Sequence, residues 1–174
     1  MRWVRFIILA YVVILVQCTL GGLLIVHTPV GRIGADLAAI MALFVAFRAR
    51  TGTDAMLACW VLGMGLDLTT GAPAAGPMAL AYAIMGGLAF RIREVIFRER
   101  ALTQAIMTLF FVLPAHALWI TAQTLRSGGW EFYGSMLLEA AGIAAFTAVL
   151  APLVTFLLSW CSRWILLSQS RRSR

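Results

Sequence analysis

The residues of this chain that could do chemistry are a few ionisable side chains inside apolar segments. Asp36, Asp67, His116 and Glu139 each lie within a hydrophobic run. Such groups could line an outward-facing cavity for a ligand or a proton, because an ionisable residue at membrane depth is costly and often functional. The alternative is structural: the carboxylates could pair with an arginine or with backbone amides at helix ends. The sequence leaves both interpretations open.

These groups do not form a recognisable catalytic pattern. The chain has three cysteines, Cys18, Cys59 and Cys161, and none has C-x-x-C or Cys/His metal spacing. No nucleophile elbow and no H-E-x-x-H motif occurs in the sequence. We therefore predict no catalytic residues, no cofactor and no metal site, and we expect the cysteines to pack as small hydrophobic residues.

The composition predicts an integral membrane protein. The 174 residues are 62% hydrophobic and 12% charged, with a mean hydropathy of +0.93, whereas soluble domains are roughly 45–50% apolar and about 25% charged. The fold class that follows is all-α, a single polytopic domain with a bundle of six transmembrane helices. The predicted spans are residues 6–26, 33–47, 54–69, 74–90, 102–125 and 133–160, and residues 161–174 form a basic cytoplasmic tail.

The arginines predict the orientation of the bundle. All fourteen basic residues are arginine, and twelve of them lie in alternate loops or at the termini. Only Arg32 and Arg126 lie on the other side, where either could pair with an aspartate. By the positive-inside rule both termini are cytoplasmic. The net charge of +7 is therefore a topology signal, and we predict contact with membrane lipid and none with nucleic acid.

Two stripes of small residues predict close helix packing. They recur every four positions in the fourth and sixth spans, as small-xxx-small faces that let helix backbones approach. Each stripe could pack inside the bundle or dock a transmembrane helix of a partner. The residues concerned are Ala75, Ala79, Ala83 and Gly87 in the fourth span and Ala140, Ala144 and Ala148 in the sixth.

The segment Gly63–Leu80 predicts a hairpin between the third and fourth spans. It reads G-M-G-L-D-L-T-T-G-A-P-A-A-G-P-M-A-L and combines Asp67 with four glycines and two prolines. Clustered Gly and Pro mark a turn, which returns the chain to the bilayer. The arginine pattern places Asp67 near the outer end of its helix, where a charge is less costly than at mid-membrane.

The same segment resembles the MreD family of bacterial rod shape-determining proteins. The family pattern is G-x-x-x-D-L-x-x-G-x-x-x-x-G-x-x-A-L, and its second span often begins with Pro-Asp-Leu, where this chain has Ala35-Asp36-Leu37. Size, hydropathy, short loops and cytoplasmic ends also suit the family. The elements of the pattern in this chain are Gly63, Asp67, Leu68, Gly71, Gly76, Ala79 and Leu80.

The resemblance implies a non-enzymatic inner-membrane scaffold of the cell-wall elongation machinery that maintains rod shape. The implied partners are an MreC-like bitopic protein, a RodA-like glycosyltransferase with a penicillin-binding transpeptidase, and MreB, indirectly or through cytoplasmic loops. The implied fold is similar to the substrate-binding subunits of energy-coupling factor transporters.

That similarity provides an alternative function, a vitamin-binding subunit of such a transporter. These subunits carry Ala-x-x-x-Ala on their first helix, where this chain has Ala10 alone, which counts against the alternative. A small membrane enzyme acting on a lipid-linked sugar is a third hypothesis, and it lacks a convincing catalytic cluster.

Overall fold

Helices account for most of the chain. The computed structural model describes residues 3–20, 26–28, 31–70, 76–93 and 101–165. Within these ranges a short 3₁₀ turn, Trp130–Phe132, leads into the last helix, and β1 (Val26–Thr28) pairs with β2 (Gly31–Ile33). The helices are α1 (Trp3–Leu20), α2 (Leu37–Arg48), α3 (Gly52–Thr70), α4 (Pro77–Ile92), α5 (Ala101–Ser127) and α6 (Tyr133–Ile165).

The β-hairpin is the main departure from the predicted spans. The sequence predicts that the first span ends at residue 26 and the second begins at residue 33, but these two residues lie in β1 and β2, an antiparallel pair in which Val26 lies opposite Ile33. The sequence here, V-H-T-P-V-G-R-I, places β-branched residues around a proline and a glycine. That pattern favours a hairpin.

The other helix bounds differ from the predicted spans by a few residues. Helix α2 begins at Leu37 rather than at residue 33, because Asp36 is its N-cap. Helix α6 continues to Ile165, five residues into the predicted basic tail. Residues 71–75, between α3 and α4 in the sequence, lie outside the described part of the chain, and two predicted residues, Gly71 and Ala75, are among them.

Helix α2 forms the centre of the bundle. It contacts α1, α3, α4, α5 and α6, and eight of its twelve residues are buried. Most of its residues are alanines or aliphatic side chains, which allow neighbouring helices to approach from several sides. An N-terminal polar group on α2 is therefore surrounded by protein.

The outer faces of the helices are apolar. Two segments are long and apolar enough to cross a membrane. The first is helix α5, Ala101–Ser127, and the second is Trp130–Trp160, which includes the 3₁₀ turn and most of α6. Soluble monomers rarely expose continuous apolar surfaces of this kind. Exposed hydrophobic residues include Val4, Ile7, Ile8 and Tyr11 on α1, Leu80, Ile84 and Leu88 on α4, and Val149, Leu153, Phe156 and Trp160 on α6.

Candidate functional site

Asp67 joins the end of α3 to the start of α4. Its Oδ2 accepts hydrogen bonds from the backbone amides of Gly76 at 2.8 Å, Met78 at 3.1 Å and Ala79 at 3.1 Å. The first amides of a helix have no partner within it, and a carboxylate there also meets the positive end of the helix dipole. The side chain is 3% exposed, so Asp67 is a buried cap rather than a group facing a cavity.

The glycines of the motif make this joint possible. A Cβ on Gly63 would lie 2.7 Å from the Cα of Ala79 and 2.7 Å from the carbonyl oxygen of Met78. Helix α3 therefore approaches the first turn of α4 at backbone distance. Gly76 has a φ of +122°, which favours glycine, and its amide donates to Asp67. Pro77 then begins the helix at a position that suits proline.

Asp36 lies in a second polar cluster, at the start of α2. Its Oδ1 accepts a hydrogen bond from the Ala39 amide at 3.0 Å, as in an N-cap. Its Oδ2 accepts a hydrogen bond from the Tyr82 hydroxyl on α4 and lies 3.2 Å from Nε2 of His116 on α5. The cluster Asp36, Tyr82 and His116, called the α2 node below, thus links three helices through one carboxylate.

Two further helices complete the surroundings of the α2 node. The Asp36 amide donates to Oγ1 of Thr147 on α6 at 3.0 Å. From α1, Gln17 accepts from the Leu37 amide at 2.7 Å through Oε1 and donates to the Ala35 carbonyl at 3.1 Å through Nε2. The backbone at the start of α2 is therefore satisfied by side chains from helices on either side, as buried polar groups require.

The hydrogen bonds and the burial of Asp36 limit the chemistry that the α2 node can do. Asp36 is 4% exposed, and its two oxygens have three partners within the chain. The pair of Asp36 and His116 could share a proton, but the carboxylate is held by a phenol and a backbone amide on its other sides. No group of three or more His, Cys, Asp and Glu side chains suited to a metal ion occurs among the described residues.

The predicted ionisable residues are thus divided between two places. Asp36 and His116 meet in the α2 node, Asp67 lies in the α3–α4 joint, and Glu139 is half-buried on α6. The sequence analysis named arginines and backbone amides as possible partners of the aspartates, and both Asp36 and Asp67 bind backbone amides. Arg126 is exposed near the end of α5, and the side chain of Arg32 lies outside the described part.

The small-residue stripes face the inside of the chain. Gly87 is half-buried, with a Cβ position 3.0 Å from Met56. This burial favours internal packing over the docking of a partner helix at these faces. The buried members are Ala79, Ala83, Ala140, Ala144 and Ala148.

The sequence analysis predicted neither Tyr82 as a member of the α2 node nor Thr147 as the acceptor of the Asp36 amide. A signal for Tyr82 existed, because it is a tyrosine flanked in the sequence by the small residues Ala81 and Ala83 within an apolar segment. A buried tyrosine hydroxyl usually has a hydrogen-bond partner. Thr147 carried no such signal, since threonine hydroxyls in helices commonly bond to their own backbone.

Comparisons of the chain with protein-family models, with curated proteins and with solved structures found no match.

Proposed function

We propose that this chain is a non-enzymatic, six-span scaffold of the bacterial inner membrane that acts in cell-wall elongation, as MreD-type proteins do. Its role would be to hold and orient the transmembrane helices of an MreC-like protein and of a RodA-like glycosyltransferase with its transpeptidase. MreB would be reached indirectly or through the cytoplasmic loops.

The observation that carries the proposal is the way the motif is used. Gly63, Asp67, Gly76 and Ala79, which carry the resemblance to MreD, meet in one joint between α3 and α4. A motif for ligand binding would direct its carboxylate into a cavity. Here the carboxylate caps a helix of the same chain, so the motif specifies the geometry of a helix pair, which is what a scaffold requires.

Placement in a bilayer is supported by the apolar outer faces and by the lengths of α5 and α6. Helix α2, with 12 residues, is about 18 Å long and shorter than the roughly 30 Å hydrocarbon core. Neighbouring helices surround it, and non-helical backbone at membrane depth is tolerated where protein buries it. The alternation of arginines then favours six crossings with both termini in the cytoplasm.

The alternative of a vitamin-binding subunit would need an outward cavity lined by the ionisable side chains. Asp36 and Asp67 are 4% and 3% exposed, and both are engaged by groups of the chain itself. This use of the carboxylates supports the scaffold over the transporter subunit.

The test is complementation in a rod-shaped bacterium depleted of its own MreD-type protein. The full chain should restore rod shape and co-purify with an MreC-like protein from membranes. An Asp67→Leu variant present at equal level should do neither. Failure of the correctly inserted wild-type chain to restore shape or to capture that partner would overturn the proposal, and co-purification of an ATPase-bearing coupling module would favour vitamin uptake.

A further inference from the structure

A cleft lies between the C-terminal half of α2 and the facing parts of α5 and α6. It has a volume of about 340 Å³, within the range of small-ligand sites. Its walls are of mixed character. Phe44 and Phe156 provide apolar surface, Gln104, Thr155 and Ser159 provide polar groups, and Arg48 provides a positive charge.

Contacts within the chain hold polar groups of the cleft in place. The Thr155 hydroxyl donates to Oε1 of Gln104 at 2.6 Å, which links α6 to α5. The Arg48 guanidinium lies 3.8 Å from the centre of the Phe44 ring. Stacking of this kind holds a guanidinium in place, so the cation is positioned at the wall of the cleft.

The cleft connects two chemically different surfaces. Phe156 is 72% exposed and belongs to the apolar outer face of α6. Arg48 is the last residue of α2, and nearby Arg93 donates to the Ala49 carbonyl at 2.5 Å. One end of the cleft therefore opens on the lipid-facing surface, and the other lies at the arginine-rich end of the bundle.

We propose that this cleft binds an anionic phospholipid of the surrounding bilayer. An acyl chain would lie against Phe44 and Phe156, and the phosphate would meet Arg48. Only the phosphate and part of one acyl chain would enter the cleft, with the rest of the lipid remaining in the bilayer, whereas a helix about 10 Å wide would fill this volume with less than one turn. A zwitterionic lipid carries a compensating cation, so net negative charge is the feature that the arginine selects.

The test titrates phosphatidylglycerol and phosphatidylcholine with identical acyl chains into the delipidated full chain in detergent, with bound lipid counted by native mass spectrometry. The chain should prefer phosphatidylglycerol. Arg48→Gln should reduce that preference about tenfold, as expected for loss of a charge-assisted contact, and Arg48→Lys should retain most of it. Arg50→Gln is the matched control, since Arg50 is exposed and is not among the residues that line the cleft.

A second pair of variants tests the cleft itself. Ser159→Trp should fill the cleft and weaken binding of the lipid, whereas Leu157→Trp, on the exposed face of the same helix, should not. Equal binding of the two lipids, equal loss in Arg48→Gln and Arg50→Gln, or equal loss in both tryptophan variants would overturn the proposal. Full competition by soluble glycerol 3-phosphate would also overturn it, because the ligand of the cleft would then be a free phosphate compound rather than a lipid.

The lipid site requires a bilayer around the chain but does not depend on the scaffold role. If Arg48→Gln loses the preference for phosphatidylglycerol but still restores rod shape, the lipid site and the scaffold role are independent.

Discussion

The two buried aspartates show two ways to keep a carboxylate inside an apolar bundle. Asp67 is satisfied by three backbone amides at a helix start, and Asp36 by one amide, a phenol and an imidazole. Both solutions rest on helix N-termini, where amides without partners and the helix dipole favour negative charge. The difference is that Asp36 also depends on side chains from distant parts of the sequence.

The cap made by Asp67 predicts an order of severity for substitutions. Asp67→Asn keeps an acceptor oxygen and should lower the free energy of unfolding by about 1 kcal/mol, while Asp67→Leu leaves three amides unpaired and should cost roughly 2–4 kcal/mol. The measurement is reversible unfolding of the full chain in mixed detergent micelles. Equal losses would mean that the negative charge itself is required.

Removal of the Tyr82 hydroxyl from the α2 node should lower the free energy of unfolding more than removal of a tyrosine hydroxyl that bonds to a neutral group. Tyr82→Phe removes a donor to a buried carboxylate and should cost about 1.5–3 kcal/mol of unfolding free energy. The matched control is Tyr133→Phe, because the Tyr133 hydroxyl pairs with the neutral Thr121 at 3.0 Å and should cost only about 0.5–1.5 kcal/mol. The same unfolding assay measures both, and similar losses would show that Asp36 does not depend on the phenol.

At the scale of elements, the α3–α4 pair is specified by residues close together in the sequence. The motif supplies the cap, the glycine that lets the helices touch, and the glycine and proline that begin α4. These residues act locally, within seventeen positions of one another. Local interactions of this kind agree with the tertiary packing, which is the condition for a well-specified structure.

The close contact at Gly63 predicts opposite effects for two glycine substitutions. Gly63→Ala would place a methyl group 2.7 Å from the backbone of Met78 and Ala79, and the displacement of α4 should cost about 1–3 kcal/mol. Gly134→Ala, also in a helix, has no atom within 4 Å of the added Cβ and should be neutral or stabilising by up to about 1 kcal/mol. Unfolding of both variants under identical conditions checks this, and a neutral Gly63→Ala would contradict the packing.

At the scale of the whole molecule, the described helices differ from a soluble bundle in the polarity of their outer surface, which is apolar. The interior contains the small and polar residues that fasten the helices, and large aliphatic and aromatic side chains cover α1, α4 and α6. In lipid, helices associate through close packing and hydrogen bonds rather than through apolar burial. The α2 node and the alanine stripes supply both interactions.

The arrangement of arginines predicts the topology. Reporter fusions after Arg50, after Arg100 and at the C-terminus should show cytoplasmic location, and fusions after Gly71 and after Gly128 should show periplasmic location. Paired reporters that are active on opposite sides of the membrane provide the internal control. A periplasmic signal after Arg100, beside four arginines, would refute the six-span arrangement.

The sequence by itself determined the helical class, most helix bounds to within a few residues, and the hairpin around Asp67. It could do so because hydrophobic runs, caps and Gly/Pro turns act over short distances. The tertiary structure alone decided that Tyr82 and Thr147 join Asp36 and His116, and that the alanine stripes face inward. These features depend on which helices become neighbours, since the hydrogen bonds of Asp36 join residues up to 111 positions apart. No local pattern encodes such distances.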